Sequence, residues 1–478
     1  MSRFLTPADL FLEQWVEASA WKSSLLTSSI MPNDSFLKSV REILQLPDGG
    51  EAYTKLSDLL GADLGHERNG RILSIMCEID KFFLGIHPRS YVDSSMIQSR
   101  LGAYHWLKQL QLMRLARGEY LQSNNLRLIP RGPLTRLHRP EDATSAQCFA
   151  DRFAALAVVP DSVMLEDIRI SIRHLVKGTG AADGIIGNVG YKDSTVAFVP
   201  VAEEESHLQA IQRSTNKQHF VDFSPASSLD VPGAIDVILQ SIGFADIILA
   251  PEMMVSEVDA ASVKANITNR PGEFRFFLAG TGCTQDSENG QFWNEARVFN
   301  GAGATIFKQR KIWQAEVRPE RVEDFGLQPC DGRIMEDNAS GEEISIADLD
   351  GFGRCLILIC QDLQARPLVE SVIQRFQPDW IFVPILDVGI GEGRWTHQRS
   401  FELSGLSPAR FLVVSSLALA SKSGLKDAAC GMAVGPKDAD GEIGPRRVCL
   451  AKIDSSVKAG YALVNWADVW PETRLKVI

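Results

Sequence analysis

Three side chains of complementary chemistry punctuate the second half of this 478-residue chain: Glu252, Lys311 and Cys360. Glu252 ends the run Ile247-Ile248-Leu249-Ala250-Pro251-Glu252, and Lys311 closes Phe307-Lys308-Gln309-Arg310-Lys311 just before Ile312. Cys360 ends Cys355-Leu356-Ile357-Leu358-Ile359-Cys360 and leads into Gln361-Asp362. Short apolar runs with polar exits predict buried strands. Proteins of the α/β class place reactive groups at the C-terminal ends of such strands. A thiol can attack an amide carbonyl once it loses its proton. A carboxylate can take that proton and pass it to the departing amine, and an ammonium can hold the oxyanion that forms between. The backbone N–H of Gln361, next to the thiol, is a second candidate oxyanion donor.

Each position has a competitor. Lys308 lies three residues before Lys311, and a cation there reads as a solvated strand residue. Cys355 lies five residues before Cys360, an odd step that puts the two on opposite faces of one strand. Set among apolar neighbours, Cys355 reads as a small buried hydrophobe, whereas Cys360 sits where polar residues begin.

The order of these motifs resembles the nitrilase superfamily, the carbon–nitrogen hydrolases, over residues 189–478. The resembling segments are Ala250-Pro251-Glu252, the Gly303-to-Lys311 run, the Asn-containing stretch Trp293-Asn294-Glu295-Ala296-Arg297-Val298, and Leu358-Ile359-Cys360-Gln361-Asp362. Gly431-Met432-Ala433-Val434-Gly435-Pro436 leading to Asp440-Gly441 resembles the family's late strand and turn. The resemblance implies a four-layer αββα sandwich, a Glu–Lys–Cys triad of Glu252, Lys311 and Cys360, hydrolysis of a non-peptide amide through a Cys360 thioester, and a homodimer or larger homo-oligomer. It also implies a further glutamate bracing the lysine. Glu316, Glu320 and Glu323 are the candidates, and Glu320 has the most family-like offset. Asp387, after the expected strand Trp380–Ile385, falls where the family lines its substrate pocket. Cys-x-Asp resembles the amidase side of the family. Two departures stand out: Ile312-Trp313 follows the lysine where x-His is frequent, and Asp362-Leu363-Gln364-Ala365-Arg366-Pro367 displaces the usual arginine.

The elements that must position these groups are legible as a change of pattern. After the Gly-rich stretch 178–184, short apolar strands alternate with helices such as 232–242, 258–268, 366–376 and 396–403, as an α/β sandwich requires. Before it, helical periodicity dominates, and residues 1–188 read as a mainly helical domain. Within it, a helix over 99–116, a hairpin (119–122 and 126–129) and Pro130-Arg131-Gly132 resemble the end of a winged-helix module near 95–140. Seven Lys/Arg and one acidic residue lie between Lys108 and Arg139, a candidate surface for phosphate.

The bulk properties exclude other classes. A net charge of -11 argues against whole-chain adhesion to nucleic acid or anionic lipid. No apolar run approaches the ~20 residues that span a bilayer, and no signal peptide is apparent. Eight irregularly spaced cysteines fit reduced thiols, and a cytoplasmic location, better than a disulfide framework. There is no phosphate-cradling Gly-x-x-x-x-Gly-Lys, no Gly-x-Ser-x-Gly and no zinc-type spacing, so neither metal nor cofactor is expected. A second reading makes the C-terminal domain a catalytically dormant scaffold whose N-terminal domain binds nucleic acid or a protein.

Overall fold

The computed structural model describes residues 5–21, 32–61, 66–86, 103–137, 149–175, 194–215, 218–271, 274–285, 290–350, 352–425, 427–436, 446–453, 460–465 and 473–477. The chain divides into two compact units, residues 1–161 with 439–443, and 162–438 with 444–478. The boundary near 161 precedes the expected one at 188. The physical reason is pairing: the strand Ile168–Leu175 runs parallel to Glu343–Leu349, which makes it part of the larger unit's sheet. The expected linker at 178–184 and the turn at Asp440-Gly441 lie outside the described residues.

Among the described residues of the first unit, five long helices (Pro7–Ala18, Asp34–Leu44, Gly49–Leu60, His66–Leu84 and His105–Arg117) accompany a three-stranded sheet. Leu121–Ser123 and Leu126–Pro130 form the expected hairpin, turning at Asn124 with its left-handed φ of 53°, a conformation Asn tolerates. Leu156–Pro160 adds a third strand. The Asp80 carboxylate accepts the N–H groups of Ala154, Ala155 and Leu156 at 2.7–2.9 Å, fixing that strand's entry. Three of the basic residues expected to face phosphate are committed within the unit. Arg114 is buried, Arg127 pairs with Glu119 and Asp161, and Arg131 pairs with Asp151 and donates to backbone carbonyls.

The second unit is the expected four-layer sandwich. One sheet has seven strands, ordered 305–310, 292–299, 274–285, 245–249, 195–198, 460–465 and 473–477. The other has eight, ordered 446–452, 429–436, 410–415, 380–385, 353–357, 343–349, 168–175 and 162–165. The strands 353–357, 380–385 and 410–415 are mutually parallel and buried along their whole length, as strands covered on both faces must be. The sheets meet through aromatic packing: Phe276 stacks on Phe382 at 4.5 Å and on Phe352 at 5.4 Å between ring centroids. They also meet at Gly431, where an added Cβ would lie 2.2 Å from Phe198, so only glycine fits that crossing. Val231–Ile242 and Glu257–Asn269 bury Ile235, Ile238, Val263 and Ile267 with Ile248 and Phe277 on the far face of the seven-stranded sheet. Trp395–Ser404 packs on 410–415 and 429–436 of the other. A separate four-stranded sheet (316–317, 334–336, 218–225, 208–215) was not foreseen from the sequence.

Candidate active site

The three residues singled out first converge. Glu252 follows the strand Ala245–Leu249, Lys311 follows Thr305–Arg310, and Cys360 lies just past Gly353–Ile357. The first two strands belong to the seven-stranded sheet and the third to the eight-stranded one, so the cluster forms where strand ends of both sheets meet. Lys311 Nζ donates to Glu252 Oε1 at 2.7 Å and to Glu336 Oε2 at 2.5 Å. The lysine side chain is 1% exposed and that of Glu252 0%. The lysine backbone is held too: its N–H donates to Asn294 O, and its carbonyl accepts from Gly341 N.

Among the described residues, three donors hydrogen-bond to the Glu252 carboxylate. Besides Lys311, Asn294 Nδ2 donates to Oε1 at 2.9 Å and the Leu386 backbone N–H to Oε2 at 2.9 Å. The Cys360 thiol and the same carboxylate are close enough to perturb each other's ionisation. Cys360 is 8% exposed and opens the 3-10 turn Cys360–Gln364 with a left-handed φ of 47°. A non-glycine residue in that region carries conformational strain, a feature that clusters at functional sites.

Asp362 fastens the cysteine turn to the lysine loop. Its carboxylate accepts the backbone N–H groups of Ile312, Trp313 and Ile359 at 3.0–3.3 Å. Burial pushes its pKa up to about 7 against those donors.

The electrostatics follow from burying three ionisable groups together. Burial, with Glu336 as a like-charged neighbour, raises the Glu252 pKa above the usual carboxylate range, and Lys311 opposes the rise. Burial by itself would lower the Lys311 pKa; the carboxylates of Glu252 and Glu336 outweigh it and hold the amine firmly protonated. The Cys360 thiol is pushed well above its ordinary value by burial and by the Glu252 carboxylate, with Lys311 offsetting part. The resting arrangement is therefore an ammonium bonded to a carboxylate, with a protonated thiol beside them.

Other expected positions resolve differently. Glu320 does not brace the lysine: it is exposed in the turn Pro319–Arg321. Glu336, at the end of the three-residue strand Ile334–Glu336, occupies that place and also accepts from Ala315 N. Of the other candidates, Glu316 pairs with Arg333 and Glu323 is exposed. Lys308 pairs with Glu295 at the surface. Cys355 is fully buried, its thiol pKa raised by burial. Gln361 is half-buried in the first turn after Cys360, where N–H groups lack an intrahelical acceptor. Asp387 is buried and spoken for: Arg321 Nη2 donates to it at 2.6 Å, Trp395 Nε1 at 2.7 Å and the Val388 N–H at 2.7 Å. Among the described residues no group of three or more His, Cys, Asp or Glu side chains is placed to hold a metal ion, and no helix is long and apolar enough to cross a membrane.

Fold and site thus define a class of protein: an αββα sandwich with a buried carboxylate–ammonium–thiol cluster between its two sheets. No protein-family model and no curated protein sequence matches the chain. Among solved structures it is similar to nitrilase-superfamily proteins. Saccharomyces cerevisiae Nit3, a member of branch 10 of that superfamily, aligns at 14% identity over 47% of this chain and 76% of its own, with a TM-score of 0.32. The amidase from Nesterenkonia sp. AN1 is similar in a mutant form showing covalent addition of the acetamide moiety of fluoroacetamide at its active-site cysteine (12% identity, 57% and 91% coverage, TM-score 0.36). A double mutant of that amidase in complex with acrylamide aligns at 12% identity over 59% and 94%, with a TM-score of 0.36.

Proposed function

We propose that the chain is a carbon–nitrogen hydrolase that cleaves a small non-peptide amide through a thioester on Cys360. The observation that carries this reading is a single contact pattern. Lys311 Nζ lies between Glu252 and Glu336, at 2.7 and 2.5 Å, in a buried site where the Glu252 carboxylate is near enough to the Cys360 thiol to perturb its ionisation.

In this reading Glu252 takes the thiol proton as Cys360 Sγ bonds to the amide carbon, and the carbonyl π pair moves onto oxygen. Lys311 and the Gln361 N–H hold the oxyanion. Glu252 then delivers its proton to the nitrogen, the C–N bond breaks, and ammonia or an amine leaves behind a thioester. Water attacks that thioester as Glu252 takes its proton. The C–S bond breaks, and the thiolate recovers the proton from Glu252. Raised pKa values suit both partners: a stronger carboxylate base, and a thiol that keeps its proton until substrate arrives.

The test is ammonia release from a panel of small amides, ureido acids and nitriles, with intact-mass analysis during turnover. Ammonia and an acyl adduct, both lost in Cys360→Ala, are expected. No ammonia from any substrate and no adduct would end the proposal. They would favour the second reading, a dormant scaffold whose N-terminal unit binds a partner. The thiol's high pKa is the observation on that side, because a permanently protonated sulfur is inert.

A further inference from the structure

A cavity of about 80 Å³ opens against the strand Phe292–Phe299, lined by Asp222, Met253, Trp293, Asn294, Asp337 and Asn338 among others. Its place in the fold ties it to the acid of the cluster. Met253 is the residue after Glu252, with a left-handed φ of 63° and its N–H fixed to Thr281 Oγ1 at 3.1 Å. Asn294 donates from Nδ2 to Glu252 Oε1. Asp337 and Asn338 directly follow Glu336, the second carboxylate on Lys311.

The polar groups around this cavity are left open. A carboxylate only accepts, so the nitrogen of the Asn294 amide must face Glu252 and its unused atom is the oxygen. Asn294 is 2% exposed, and its Oδ1 has no hydrogen-bond partner among the described residues. The same holds for Oδ1 and Nδ2 of Asn338 and for the indole Nε1 of Trp293, which is 9% exposed. Each buried polar atom left unpaired costs about 1–3 kcal/mol, so a lining that carries four of them suits a polar ligand. The charges say which kind. The Arg213 guanidinium pairs with Asp337 at 3.4 Å, and Asp222 keeps its carboxylate for the cavity. Burial raises the Asp222 pKa, Arg213 opposes the rise and Asp337 adds to it. One guanidinium against two carboxylates leaves the lining net anionic. Its complement is a cation rich in N–H donors, an ammonium.

The order of the proposed chemistry says which part of a substrate comes here. Glu252 hands its proton to the departing nitrogen, so that nitrogen must approach the Glu252 carboxylate. Whatever the nitrogen carries then runs on past Asn294 and Met253. Resting on the hydrolase reading, we infer that the substrate is an N-substituted amide whose leaving amine bears a second, positively charged amino group, seated in this cavity between Asp222, Asn294 and Asn338. At the ~15 Å³ that one water-sized group needs, the cavity holds an arm of about five non-hydrogen atoms, which admits a short aminoalkyl chain and excludes a longer polyamine. Cleavage forms the Cys360 Sγ–carbon bond and breaks the C–N bond. The thiol proton, carried by Glu252, ends on the departing nitrogen, and a diamine leaves.

The experiment measures binding, so it does not depend on turnover. Full-length Cys360→Ala is titrated calorimetrically with a matched pair, the N-aminopropyl and N-butyl derivatives of acetamide, which differ only in an ammonium where the other has a methyl group. A charge-assisted hydrogen bond corresponds to roughly a tenfold to hundredfold gain. The aminopropyl amide should therefore bind at least about tenfold more tightly than the butyl one. Adding Asp222→Asn, which keeps the shape and removes the charge, should bring the ratio near one. Adding Arg213→Gln instead, at an exposed position where the fold is not at risk, removes the cation of the lining and should raise the ratio. Equal affinities in the parent, failure of the aminopropyl amide to bind, a preference that survives Asp222→Asn, or a ratio that does not rise in Arg213→Gln would each overturn the inference. Absence of an acyl adduct on Cys360 of the unmutated protein with any amide would instead sink the hydrolase reading, so the two failures are distinguishable.

Discussion

Replacing Lys311 by Met tests the electrostatic design of the cluster most directly. Met keeps the volume and removes the charge. Two buried carboxylates, Glu252 and Glu336, then lose a common donor at 2.7 and 2.5 Å. Removing one partner of a buried ion pair costs about 3–5 kcal/mol, because the remaining charge is uncompensated. The loss depends on pH in a definite direction. Glu252, whose pKa burial already raises above the ordinary value of 4.5, would lose the cation that opposes the rise, so the variant should be near parental stability below that pH. The deficit should grow as pH rises through the folded-state values. Thermal unfolding at pH 8 should show a fall on the order of 6–10 °C, at about 2 °C per kcal/mol for a unit of this size, shrinking near pH 5. Hydrolytic activity, if restored by no added amine, should fall by at least about 100-fold with loss of an oxyanion donor. A variant with unchanged, pH-independent unfolding would show that Lys311 is not clamped between two ionised carboxylates.

Two further outcomes follow from the same geometry. Glu336→Gln removes one of the charges that raise the Glu252 pKa. The acid limb of kcat/KM, set by a base titrating above 4.5, should shift to lower pH; an unmoved limb would separate Glu336 from the base. Gly431→Ala places a Cβ 2.2 Å from Phe198, and overpacking of this kind costs about 1–3 kcal/mol. Urea unfolding should therefore give a lower midpoint; a neutral result would mean the two sheets separate there at little cost.

Much of the site was legible because its members sit at strand exits. Glu252 and Cys360 close runs buried along their whole length, and continuous burial is what an apolar run encodes; Lys311 closes a strand buried at Ile306, Phe307 and Gln309. The layered α/β architecture was legible for the same reason. Glu336 was not. It comes from the strand Ile334–Glu336, which pairs in parallel with His219–Val221 more than a hundred residues earlier, and three residues are too few to show a period. Offset from Lys311 along the chain points instead to Glu320, which is exposed. The strand Ile168–Leu175 was likewise assigned by proximity to the helical segment, whereas its partner Glu343–Leu349 lies far along the chain. The commitment of Arg127 and Arg131 to acidic and carbonyl partners was also invisible in a count of basic residues. Composition records how many cations are present but not which anions fold against them.

Glu252 and Lys311 ride on one sheet and Cys360 on the other. Neither half of the sandwich can assemble the cluster alone. A chain with its secondary structure formed but its two layers unmated would hold every reactive atom and remain inert. Chemistry at the sulfur thus doubles as a gauge of assembly: during denaturation it should vanish together with the aromatic stacking of Phe276 on Phe382, not with the loss of strands.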